Sequence, residues 1–109
     1  MECIRMADET LSDEELDEIF RRMVDSFIDR ANDLAETNNA ENVGLALLYA
    51  ASRFNAHVVS QHAETPQDYE RDLPKAREFF CGQYQSMLDE NLEDYKSIYS
   101  KYANFMRRQ

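Results

Sequence analysis

The groups in this sequence that could hold a metal or move a proton are two histidines, two cysteines and 22 carboxylates spread over 109 residues. His57 and His62 lie five apart, about 140° around a helix, so they do not share a face. No Glu-x-x-His occurs, which removes the di-metal signature of helical bundles. His-Glu-x-x-His, Cys-x-x-Cys, a glycine-rich phosphate loop and Gly-x-Ser-x-Gly are also missing. With only two glycines, the chain has little from which to build a phosphate cradle. The sequence therefore predicts a protein that is not an enzyme and that needs no metal and no cofactor. Cys3 and Cys81 read as two free thiols rather than a disulfide framework.

One cluster has a sharper reading. Arg53 is the only Lys or Arg between Arg30 and Arg71. Arg53 and His57 lie four apart on one flank of the second helix, with Tyr49 nearby. The plain account pairs Arg53 with a carboxylate at the edge of a core. The functional account has Tyr49, Arg53 and His57 lining a small polar pocket, a sensor site for an anionic ligand. A desolvated guanidinium there would need pairing by protein or ligand.

The net charge is −10, and its distribution matters more than its size. Residues 1–20 hold eight acids and one base; the rest of the chain holds 14 acids and 11 bases. The acidity belongs to the N-terminal end, much of it where carboxylates suit a helix dipole. A net-acidic chain without a basic stripe argues against nucleic-acid binding. No apolar run approaches the roughly 20 residues of a membrane span, and the first ten residues lack a signal-peptide core. The expectation is a cytoplasmic protein that uses no membrane.

These groups must be positioned by helices, because glycine and proline are scarce. Ser12-Asp13-Glu14-Glu15 has capping-box spacing and opens the first helix. Leu16, Ile19, Phe20, Met23, Val24, Phe27, Ile28, Ala31 and Leu34 then follow at helical spacing on one face. Thr37-Asn38-Asn39 stops it. The second helix is expected over 42–62. Its apolar residues form two stripes, as in a central helix covered twice. A polar connection over 64–74 follows, with a short extra turn at Thr65-Pro66-Gln67-Asp68. Asp72-Leu73-Pro74 then opens a third helix over 75–106. Along it Cys81, Tyr84, Leu88, Asn91, Tyr95, Ile98, Tyr102 and Phe105 alternate at steps of three and four, a heptad seam. Asn91 in that seam reads either as a register-setting polar residue or as a hydrogen bond within one subunit.

Residues 1–11 read as a flexible acidic leader and 12–109 as a single helical domain. The fold class is all-α, a three-helix up-down-up bundle with a long C-terminal helix. At about 1.5 Å per residue the third helix would reach roughly 48 Å, beyond the other two. Its tail would be left uncovered, so the expected interface is Asn91, Tyr95, Tyr99, Tyr102, Phe105 and Met106, completed by a homodimer.

Leu47-Leu48-Tyr49-Ala50-Ala51-Ser52-Arg53-Phe54-Asn55-Ala56 is the most distinctive stretch. Phe27-Ile28 and Ala31-Asn32 precede it; Gln83-Tyr84, Met87-Leu88, Asn91-Leu92 and Asp94-Tyr95 follow it. Together they resemble the domain-of-unknown-function 3144 family of small bacterial proteins, over roughly residues 20–96. The resemblance implies a bacterial origin and a helical fold, and brings no activity with it. The function expected from the residues is a protein-binding or scaffolding module acting as a homodimer, with the anionic-ligand sensor as the alternative.

Overall fold

The computed structural model describes residues 10–108, and among them there are three helices and no strand. We label these α1 (Asp13–Ala35), α2 (Ala40–His62) and α3 (Pro66–Arg108). Residues 1–9, with Cys3 and most of the expected acidic leader, lie outside the described residues. By contact the chain divides into two compact units, Met1–Asn55 and Ala56–Gln109.

The first unit starts on the capping box. The Glu15 N–H donates to Ser12 Oγ at 3.1 Å, and the Ser12 N–H reaches back to Glu15 Oε1 at 3.5 Å. Two otherwise orphaned donors are thus satisfied. Leu11 and Leu16 flank the cap at the positions of a hydrophobic staple, and both are half-buried. At the other end of α1, Asn38 Nδ2 donates to the Leu34 carbonyl at 2.8 Å, which stops the helix where the Thr37-Asn38-Asn39 run predicts. Asn39 then caps α2, its Oδ1 accepting from the Asn42 N–H at 3.2 Å. That cap starts α2 two residues before the expected position. The two apolar stripes of α2 are mostly open: Leu45, Tyr49 and Phe54 each keep about two-thirds of their surface exposed, while Val43, Val58 and Val59 are half-buried.

The second unit holds the last turns of α2 and the whole of α3. Here the structure corrects the sequence reading. The expected polar connection over 64–74 shrinks to Ala63–Thr65, and the third helix begins at Pro66 rather than 75. Thr65 is the cap: its Oγ1 accepts from the Asp68 N–H at 3.1 Å, and Pro66 fills the first helical position, where a missing N–H costs nothing. Arg71 pairs with Asp68 one turn further on. Pro74, read from sequence as a helix start, lies inside α3. Proline's fixed φ is already helical, so its cost there is one lost bond to the Glu70 carbonyl and some crowding. At 43 residues α3 is continuous and about 65 Å long, against about 35 Å for each 23-residue partner.

Half-burial in this second unit concentrates around the three-residue connection. On the α2 side it takes in Val58, Val59 and Ala63; on the α3 side Tyr69, Leu73, Ala76 and Phe80. Phe79 and Phe80 add an edge-to-face pair with centroids 5.2 Å apart. No described residue of the chain is fully buried.

Candidate functional site

The site is one face of α3. At 100° per residue, Tyr69, Leu73, Ala76 and Phe80 share a stripe with Tyr84, Met87, Asn91, Tyr95, Ile98 and Tyr102. The first four are half-buried. From Tyr84 onward the stripe is open: Tyr84 keeps 48%, Tyr95 66% and Tyr102 60% of its surface, and Tyr99 beside them keeps 72%. The seam identified from Cys81 onward therefore continues a longer stripe. Its first part was legible too, since Tyr69, Leu73, Ala76 and Phe80 already step by four, three and four.

Of the expected interface residues, Asn91, Tyr95, Tyr99 and Tyr102 are all exposed on this helix. The side chains of Phe105 and Met106 lie outside the described residues. Asn91 Nδ2 donates to the Met87 carbonyl one turn back at 2.9 Å, a bond within its own helix. Cys81 is a free, exposed thiol.

The expected ligand residues sit on α2. Tyr49, Arg53 and His57 lie at steps of four along it, and all three are exposed. Two serines hold on to the backbone beside them: Ser52 Oγ donates to the Tyr49 carbonyl at 2.8 Å and Ser60 Oγ to the His57 carbonyl at 2.6 Å. These hydroxyls satisfy themselves locally rather than aiming at a ligand. Among the described residues no group of three or more His, Cys, Asp or Glu is gathered as a metal ion would need, and no helix is long and apolar enough to cross a membrane. A shallow groove on α1 is lined by Ser12, Glu14, Glu15, Glu18, Ile19 and Arg22. Glu18 pairs there with Arg21 at 3.5 Å and Arg22 at 3.3 Å.

Fold and site together define a class: an all-helical protein carrying an open aromatic stripe on its longest helix. The family model for a protein of unknown function, DUF3144, matches residues 20–96, and the chain belongs to that family. No curated protein and no solved structure matches it. The matched span holds Tyr84, Met87, Asn91 and Tyr95; Ile98, Tyr99 and Tyr102 follow it.

Proposed function

We propose that the chain is a protein-binding or scaffolding module that acts as a homodimer, with a second copy of α3 covering the open aromatic stripe. The observation that supports this is the stripe itself. One face of one helix is half-buried from Tyr69 to Phe80 and open from Tyr84 to Tyr102. Contiguous apolar surface of that kind marks association sites in folded proteins. Dimerisation would complete an up-down-up bundle of the three helices. In this reading the protein works in the bacterial cytoplasm, contacts neither nucleic acid nor membrane, and performs no catalysis. The anionic-ligand alternative is not preferred, because the exposed Arg53 guanidinium does not need the ligand that a desolvated one would.

Light scattering on the eluting full chain at tens of micromolar tests the proposal. Twice the monomer mass is expected. A monomer across that range would sink it.

A further inference from the structure

The flanks of the open stripe carry information about how a second copy would lie. Asp94 and Lys101 are seven residues apart, so they fall within about 20° of each other on the same flank of the stripe. Both are exposed, and neither has an ion-pair partner among the described residues. Their neighbour Lys96 differs, lying 3.9 Å from Glu93. On the other flank stand Leu88, Leu92 and Tyr99, without a charge. Flanking charges commonly set the orientation of paired helices. In an antiparallel pair each flank meets the same flank of the partner. In a parallel pair it meets the opposite one. A parallel pair would therefore set Asp94 and Lys101 against uncharged side chains.

Resting on the homodimer proposed above, we infer that the two α3 helices pair antiparallel with their crossing near Ile98, so that Asp94 of each chain meets the partner's Lys101. The same register brings Tyr95 beside the partner's Tyr102 and leaves Ile98 at the two-fold axis. One pairing thus satisfies both the charges and the aromatic stripe, as a self-complementary two-fold interface must. The overlap runs from Leu88 to the helix end at Arg108, about 31 Å at 1.5 Å per residue. Over that length Tyr95, Tyr99 and Tyr102, exposed to 66%, 72% and 60%, together offer roughly 400 Å² per copy, taking about 200 Å² for a whole ring. That is about half of the ~800 Å² per partner of a standard interface, before Leu92 and Ile98 are added.

Two measurements on the full chain separate this inference from the dimer itself. Sedimentation of Asp94→Lys and of Lys101→Glu should show dimer dissociation constants raised about tenfold, as expected for two like-charge contacts replacing two attractive ones. The double variant, and a mixture of the two single variants, should recover the original constant. Spin labels at Ser86→Cys, with Cys3→Ser and Cys81→Ser, should be offset by about 36 Å along the pair if it is antiparallel, and lie level, separated only by the pair's width of about 20 Å, if it is parallel. A monomeric parent chain overturns the dimer and this inference with it. A dimer with the short label distance overturns the orientation alone. The long distance with charge variants that change nothing overturns the Asp94–Lys101 pairing.

Discussion

The two halves of the α3 stripe differ in cover and in little else. Both are built mainly of apolar and aromatic side chains at steps of three and four, on one uninterrupted helix. Tyr69, Leu73, Ala76 and Phe80 are half-buried, whereas Tyr84, Met87, Tyr95, Ile98 and Tyr102 are open. Helix propensity and amphipathicity cannot distinguish them. What differs is distance from the Ala63–Thr65 connection. Within the Ala56–Gln109 unit only the last seven residues of α2 can run beside α3, a length of about 10 Å. An amphipathic face is thus a demand for cover. Whether the chain itself meets the demand depends on where its connections fall.

The largest expected effect breaks this comparison directly. Ile98→Asp places a carboxylate at the centre of the open half. If a second copy covers that half, the dimer constant should weaken by at least about a hundredfold, since an unpaired carboxylate in an apolar contact costs several kcal/mol. Leu73→Ala in the half-covered part should instead cost about 1–2 kcal/mol, roughly half the range for a fully buried leucine. Urea denaturation at several protein concentrations checks the contrast. The Ile98→Asp loss should depend on concentration, and the Leu73→Ala loss should not. A concentration-independent loss at both sites would mean that the open half is covered within one chain.

Pro74→Ala acts on the covered half from the backbone side. An interior proline costs a helix up to about 3 kcal/mol relative to alanine. Alanine would return an N–H to the Glu70 carbonyl and relieve the crowding. Stability to urea should therefore rise by about 1–3 kcal/mol without a change in mass. A fall would show that Pro74 is needed to set the path of the chain near Leu73.

Asn91→Leu acts on the open half and should be worth about 1 kcal/mol, the scale of one buried apolar side-chain increment. The Asn91 side chain donates to the Met87 carbonyl, which in α-helical geometry already accepts the Asn91 backbone N–H. Losing the side-chain bond orphans nothing. Stability should rise, and the mass distribution should broaden beyond the dimer, because a polar seam residue commonly limits partner number. Reduced stability with an unchanged dimer mass would assign Asn91 a role inside one helix only.

Much of this was legible in the sequence where the signal is local. The Ser12–Glu15 capping box and the Thr37-Asn38-Asn39 stop were both readable, because a cap needs only four or five neighbouring residues. The start of α3 was not. Thr65-Pro66 and Asp72-Leu73-Pro74 carry the same start signal, and nothing local tells which proline opens the helix and which is tolerated inside it. The site divides in the same way. The shared face of Tyr84, Tyr95 and Tyr102 follows from spacing, and so does the shared flank of Tyr49, Arg53 and His57. The exposure of Tyr95 and Tyr102 was expected from helix lengths, whereas that of Tyr84 and of the α2 flank does not follow from spacing, since cover comes from residues distant in sequence. The backbone bond of Asn91 was one of two readings that spacing alone left open.

The smallest expected effect lies at the boundary between the two halves. Gly82 sits between Phe80 and Tyr84, and a Cβ built on it meets nothing within 4 Å. Its direction is well away from the aromatic stripe, about 160° from Tyr84 at 100° per residue. Glycine in a helix interior costs about 0.5–1 kcal/mol relative to alanine. Gly82→Ala should therefore raise the unfolding free energy by about that much and leave the dimer constant unchanged. Coupling it to Ile98→Asp sharpens the comparison. If the back of α3 is free, as the open space at Gly82 indicates, the two effects should add, because sites without shared partners do so within about 0.5 kcal/mol. A weakened dimer in Gly82→Ala would mean instead that a second copy approaches α3 from the glycine side, and the aromatic stripe would then be covered by something other than this chain's twin.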